Sequence, residues 1–247
     1  MSLTPEISLA FTFYNEEKNC RQILPPIKEA LERAGISFQM ILVNNGSVDQ
    51  TGEILEQMAR EDLRLVVAHV KVNEGYGGGI LEGLRHATGK FVGYLSGDGQ
   101  VAPEDVLNTL KAIREDRYDL VKVRRVTRED GWIRLFVSRG YNLMMRFLFR
   151  CPTGDLNGTP KIFPRKLLPI LDLRSKDWFI DPELMIKSAR LGLRLYEIPI
   201  TFYPRKEGKS SVHFGTIFEF FKNAILFPLR KDYRQWKKQK LSSWRVA

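Results

Sequence analysis

The chain has 247 residues, 43% hydrophobic and 28% charged, a mix that excludes disordered and fibrous classes and suits one large domain or two fused halves sharing a sheet. Two cysteines, Cys20 and Cys151, are too few for a secreted disulfide scaffold and point to reducing surroundings; Met1 to Glu6 has no signal-peptide pattern, and no apolar run approaches the roughly 20 residues of a membrane span. Of the net charge of +10, the segment Arg230 to Ala247 carries +6, seven basic residues against Asp232, which marks a tail able to meet nucleic acid or an anionic membrane.

Ile7 to Phe13 is a short apolar run, a buried strand. Asn15-Glu16-Glu17 then opens a helix, with Asn15 as N-cap and Leu24, Ile27, Ala30 and Leu31 as its apolar stripe. Phe38 to Val43 is a second strand, Asn44 to Ser47 a turn, and Thr51 to Arg60 a helix. Leu65 to Val72 is a third strand, followed by a glycine-rich loop and a helix to His86. Phe91 to Leu95 is a fourth strand, ending at Ser96 to Gln100. This alternation predicts an α/β fold, a mostly parallel central sheet with helices on both faces. Beyond it come helices at Pro103–Arg114, Arg139–Phe149 and Pro182–Leu191, the last closed by Gly192, and strands at Leu120–Val123, Lys161–Phe163 and Leu195–Tyr203. Residue 101 divides a ligand-binding half, 1–100, from a second half, 101–213, within one domain spanning 1–229.

Ligands of parallel sheets sit beyond the carboxyl ends of the strands, and four polar clusters fall there. Asp98, between Gly97 and Gly99, is a hard oxygen donor suited to Mg²⁺ or Mn²⁺ bridging a diphosphate, and Gln100 can add a carbonyl oxygen. Asn73 to Gly79 (NEGYGGG) reads either as a phosphate cradle at a helix N-terminus or as a flexible turn; it matches neither the dinucleotide fingerprint nor the P-loop. Asn44, Asn45 and Asp49 either bond a base and ribose or build an Asx turn and cap the next helix. Arg125 and Arg139, among the crowded arginines 124–139, and Arg205, with Lys206 and Lys209, suit phosphate. Asp155 and Asp181 can orient an acceptor or act as base, and Asp181 before Pro182 also fits a helix cap. The three histidines have no metal-ligand spacing, and His69 reads as structural. Phe214 to Leu229 places Phe214, Ile217, Phe218, Phe221 and Ile225 on one helical face; beside the basic tail it reads as an interfacial helix, the rival being a core helix or dimer contact.

These residues resemble those of family-2 inverting glycosyltransferases with the GT-A fold, and among them the dolichol-phosphate (polyprenol-phosphate) mannosyltransferases and their bacterial relatives. The resemblance is carried by Tyr14-Asn15-Glu16-Glu17, by Val43 to Thr51 (VNNGSVDQT), by Asn73 to Gly77 with Gly83 and Ala87-Thr88-Gly89, and by Glu197 to Phe202 with Arg205, Gly208 and Ser210. It implies a nucleoside diphosphate sugar donor (GDP- or UDP-linked) held by Tyr14, Glu16, Asn44, Asn45, Asp49, Asn73, Gly75 and Gly97. It further implies a divalent metal at Asp98 and Gln100, an acceptor phosphate at Arg125, Arg139 and Arg205, and Asp155 lining the transfer site. Ser96 stands where the family has the first aspartate of Asp-x-Asp, and Asn44-Asn45 where it has Asp-Asp.

The expected function is therefore inverting, metal-dependent transfer of a hexose to a polyprenyl phosphate. Its expected setting is the cytoplasmic membrane face, with peripheral contact through residues 214–247 and no role for nucleic acid. The rivals are a glycosyltransferase with a soluble hydroxyl acceptor and a non-catalytic nucleotide-sugar-binding module.

Overall fold

The computed structural model describes residues 4–127, 132–201, 214–241 and 244, the side chains of 127, 132–139 and 214–218 excepted. In chain order the elements are β1 (Ile7–Phe13), α1 (Cys20–Arg33), β2 (Phe38–Asn45), α2 (Thr51–Glu61), β3 (Leu65–Val70), α3 (Gly75–Arg85), β4 (Phe91–Ser96) and α4 (Pro103–Arg114). They continue with β5 (Leu120–Thr127), α5 (Trp132–Phe149), β6 (Lys161–Pro164), α6 (Leu168–Leu171), α7 (Ile180–Leu191), β7 (Leu195–Thr201), α8 (Phe214–Leu226) and α9 (Lys231–Trp236).

The strands form one seven-stranded sheet in the order β3-β2-β1-β4-β6-β5-β7. β3, β2, β1 and β4 are mutually parallel, β5 and β7 are parallel, and β6 runs antiparallel between β4 and β5. Alternation along each strand splits the core in two. Leu9, Phe11, Met40, Leu42 and Leu95 face α1, α2 and α4, while Ala10, Ile41, Val43, Val92 and Tyr94 face the layer of α3, α5, α7, α8 and α9. Because β6 is reversed, it begins where β4 ends, pairing Lys161 with Tyr94. The 151–160 loop therefore joins the carboxyl edge on which the β1, β2, β3 and β4 loops already converge.

Four elements differ from the sequence-based expectation. Helix α1 starts at Cys20 rather than Asn15, because residues 15–17 bond across to the 47–51 loop instead of winding. The glycines 77–79 lie inside α3, not in a loop before it. α5 begins seven residues earlier than the pattern at Arg139 suggested. α7 begins at Ile180, so Asp181 occupies its first turn rather than its cap.

The C-terminal segment also departs from expectation. On α8, Phe221 packs edge-on to Tyr141 with ring centroids 5.4 Å apart, and Ala224 and the following Phe227 are buried. Of the apolar stripe read as membrane-facing, Phe221 thus packs on the core, while Ile225, with Leu226 and Leu229 beyond it, is exposed; the side chains of Phe214, Ile217 and Phe218 lie outside the described residues. The basic stretch from residue 230 is not a free tail where it is described. Tyr233, Trp236 and Leu241 are buried, Trp236 Nε1–H donates to the Ile170 carbonyl at 2.8 Å, and Trp244 Nε1–H to the Leu191 carbonyl at 2.9 Å. Three large apolar side chains in nine residues gain more from burial than the neighbouring lysines lose, because lysine stems can lie along the surface with their charge in water.

Candidate functional site

The β1 and β2 loops are zipped together. Asn15, at φ +54°, donates its N–H to Ser47 Oγ (3.0 Å) and accepts Val48 N–H on Oδ1 (3.0 Å). Glu16 N–H donates to Thr51 Oγ1 (2.9 Å), Glu17 N–H to Asp49 Oδ2 (3.3 Å), and Gln50 N–H to Glu17 Oε2 (3.1 Å). Asp49 also accepts Thr51 N–H at 3.0 Å, an Asx turn leading into α2, so it shapes that turn and ties the loops at once. Tyr14 stands exposed above this seam.

Asn44 and Asn45 behave differently from each other. Asn44 accepts Ser47 N–H on Oδ1 (3.1 Å), and its Nδ2 lies 3.2 Å from His69 Nδ1, whose Nε2 is 2.9 Å from Glu56. Asn45 is buried and its amide is used at both ends: Nδ2 donates to the Gly75 carbonyl (2.9 Å) and Asn73 Oδ1 (3.2 Å), and Oδ1 accepts Glu74 N–H (3.3 Å). It stitches the β2 loop to the start of α3.

The glycines of α3 serve close packing. A Cβ on Gly77 would lie 2.3 Å from the Ser175 carbonyl oxygen and 2.6 Å from that of Asp177; on Gly75, 2.6 Å from that of Lys176. Gly75 N–H is taken by Asn73 Oδ1 (2.8 Å) and Gly78 N–H by the Lys176 carbonyl (2.8 Å). Gly75 N–H thus closes onto its own loop, and Gly78 N–H ties the 172–179 loop to α3. That loop brings Trp178 onto Tyr76 as a stacked pair, 4.4 Å between centroids.

Asp98 lies just past β4, between Gly97, where a Cβ would strike the Phe13 ring at 2.5 Å, and Gly99 at φ +70°. Its Oδ1 accepts the Gln100 N–H at 3.2 Å, and it borders a cavity of about 440 Å³ shared with Ile23, Val101 and Pro103. Among the described residues no group of three His, Cys, Asp or Glu gathers to cage a metal. One carboxylate with an amide oxygen still fits an ion such as Mg²⁺, which binds through one or two carboxylates and draws its other ligands from phosphates and water.

The second half supplies two carboxylate–cation pairs. Arg125, past the middle of β5, grips Asp155 with Nε to Oδ2 and Nη2 to Oδ1, both at 2.7 Å, and its N–H adds a third bond at 3.1 Å. Burial opposes the Arg125 charge, yet Asp155 and Asp181 hold it above the ordinary arginine range. Asp181 Oδ1 accepts both the Lys161 ammonium and the Tyr94 hydroxyl, the latter at 2.8 Å, and all three groups are buried. Burial draws Lys161 down to about 8 despite the Asp181 carboxylate beside it. Burial, then Asp181 and Asp98, push the Tyr76 phenol well up, while Arg125 and a hydrogen bond to Thr159 act the other way. Tyr76 therefore feels the charges of Asp98, Asp181 and Arg125.

The structure thus pairs Asp155 with Arg125 and Asp181 with Lys161, and sets Asp98, Asp181 and Arg125 within electrostatic reach of Tyr76. Arg139 falls on α5, where only the backbone is described, and Arg205 lies outside the described residues. Sequence reasoning missed Lys161, Lys122, Tyr94 and the Tyr76–Trp178 pair. The lysines alternate within apolar strands, which is the one available signal: a lysine in a buried run demands a partner.

A seven-stranded, mostly parallel sheet with one reversed strand and helices around it is the nucleotide-sugar transferase architecture GT-A. Residues 8–169 match glycosyl transferase family 2, and the chain belongs to that family. Among solved structures it is similar to glucosyl-3-phosphoglycerate synthase from Mycobacterium tuberculosis in complex with Mn²⁺, UDP and phosphoglyceric acid (TM-score 0.70, 19% identity, 91% of this chain and 78% of that one). It is similar also to S. aureus TarS 1–349 with UDP-GlcNAc (TM-score 0.58, 21% identity, 97% and 71%). By sequence it is 29% identical over 211 residues, 85% of its length, to undecaprenyl-phosphate 4-deoxy-4-formamido-L-arabinose transferase of Proteus mirabilis. The chain spans 63% of the length of that relative and of its counterpart from Enterobacter sp..

Proposed function

We propose that this chain is an inverting glycosyltransferase that moves a sugar from a nucleoside diphosphate to a polyprenyl phosphate. The observation that carries the acceptor is the state of the two candidate bases. Asp155 is held on both oxygens by Arg125, and Asp181 Oδ1 is occupied by Lys161 and Tyr94. A hydroxyl acceptor needs a base to take its proton, whereas a phosphate arrives ionised and needs only cations to orient it. The curated relatives' polyprenyl-phosphate acceptor agrees with this.

Asp98 and the Gln100 side chain would hold Mg²⁺ or Mn²⁺; when bound, the ion neutralises charge on the departing diphosphate. The zipped loops of Tyr14, Glu16, Asn44 and Asp49 offer the nucleoside a preformed edge, with UDP the first base to test because both fold neighbours hold it. Arg125, with Arg139 and Arg205, meets the acceptor phosphate. We place the enzyme peripherally on the cytoplasmic membrane face. No described helix is long and apolar enough to cross a membrane, yet Leu143 and Phe147 on α5 and Ile225 and Leu229 near α8 are well exposed beside Arg146 and Arg150. Two buried free thiols agree with a reducing compartment.

The test is transfer of radiolabelled sugar from UDP- and GDP-sugars, with Mn²⁺, to undecaprenyl phosphate or to undecaprenol. Product with the phosphate alone is expected, and Asp98→Ala should abolish it. Product with the alcohol would replace the phosphate reading by a base-catalysed one.

A further inference from the structure

The loop that precedes β6 carries Asp155, and Asp155 orients Arg125. Groups on three other elements hold that loop. Lys122 on β5 is fully buried; its ammonium donates to the carbonyls of Val123 (2.8 Å) and Asp155, and to Glu197 Oε1 on β7 at 3.2 Å. Glu197 accepts the Thr153 hydroxyl on Oε1 and the Gly154 N–H on Oε2 at 2.9 Å. From α5, Asn142 donates to the Gly154 carbonyl (3.0 Å) and accepts Leu156 N–H (3.3 Å).

A buried lysine–glutamate pair is weak ground for stability, since apolar residues of similar volume often replace such a pair without loss. Beyond their mutual bridge, the polar atoms of this pair are directed mainly at the 153–155 backbone and Thr153. We propose that Lys122 and Glu197, with Asn142 as a clasp from α5, are positioning residues for the acceptor phosphate. They fix residues 153–156, and Asp155 then sets the plane of the Arg125 guanidinium. This rests on the reading of Arg125 as an acceptor-phosphate residue.

The probe is citronellyl phosphate, a short prenyl phosphate, titrated by calorimetry into the full chain, with UDP plus Mn²⁺ affinity and thermal midpoint measured in parallel. Arg125→Ala and the double variant Lys122→Met/Glu197→Met should each weaken the probe by about tenfold or more while UDP affinity holds within about twofold, the scale on which small misplacements act. A cooperative thermal transition and unchanged UDP plus Mn²⁺ affinity in the double variant separate positioning from mere structural support. Wild-type probe affinity in the double variant, with Arg125→Ala weakened, overturns the positioning role and leaves the acceptor reading standing. Wild-type affinity in Arg125→Ala sinks that reading and this one with it. If the double variant does not fold, Asn142→Ala cuts the same loop from the helix side, and unchanged probe affinity there refutes the proposal.

Discussion

Replacing Lys161 by Met isolates the buried pair at the centre of the site. Lys161 is 0% exposed and Asp181 2%, and the ammonium and the Tyr94 hydroxyl both bond Asp181 Oδ1. Without the ammonium, the buried carboxylate keeps the neutral Tyr94 hydroxyl as donor, and losing one partner of a buried ion pair costs about 3–5 kcal/mol. At about 2–4 °C per kcal/mol for a domain of this size, the thermal midpoint should fall by about 6–20 °C. Lys161→Met/Asp181→Asn should recover most of that, because the neutral amide still accepts from Tyr94 and no charge remains buried. The pair also has a pH signature. With Lys161 at about 8 in the folded chain against an ordinary 10.5, both states are protonated below pH 8. Between those values the unfolded chain holds the extra proton, so this lysine makes stability rise with pH, by at most about 1.4 kcal/mol per unit. Denaturant titrations of the wild type and both variants from pH 7 to 10 test this. A loss under about 1 kcal/mol for Lys161→Met, or a double variant no better than the single one, would refute the reasoning.

Asn45→Asp moves the chain toward the family pattern, yet it should destabilise by about 1–3 kcal/mol, because the donor to Gly75 and Asn73 becomes a third acceptor facing two acceptors; chemical denaturation measures it. Gly77→Ala should lower stability despite a helix-propensity gain of about 1 kcal/mol, since two backbone carbonyls lie within 2.6 Å of the new methyl, whereas Gly140→Ala on α5 meets nothing within 4 Å and should stabilise. Leu143→Glu/Phe147→Glu should reduce co-sedimentation with anionic vesicles while leaving the thermal midpoint within about 2 °C, because both side chains are already in solvent.

The alternation of apolar runs with polar strand ends was enough to place β1 to β4, their parallel order of connection and the edge on which Asp98, Asn44 and Glu16 gather. That information is local: each strand names itself by its run, and right-handed crossovers leave little choice of edge. The boundaries failed where contacts across the fold outweighed local propensity. Residues 15–17 wear a helix-opening pattern but bond to the β2 loop, and glycines 77–79 look like a loop but are helical, with Gly77 making room for Ser175 and Asp177 and Gly79 for Thr12. Asn44 and Asn45 are adjacent and chemically identical, and only their environments assign one to a turn beside His69 and the other to a buried stitch. The basic C-terminal segment reads as a tail by charge, but charge says nothing of where Tyr233 and Trp236 find a groove.

What the sequence by itself determined is the family, the parallel half of the sheet and the acid past β4, because motifs and periodicity are properties of neighbouring residues. Only the tertiary structure decided which carboxylates carry partners. Lys161 reaches Asp181 across 20 residues and Arg125 reaches Asp155 across 30, through the reversed strand β6 and the loop before it. Pairing at that range is set by how strands lie side by side, and no local pattern records it.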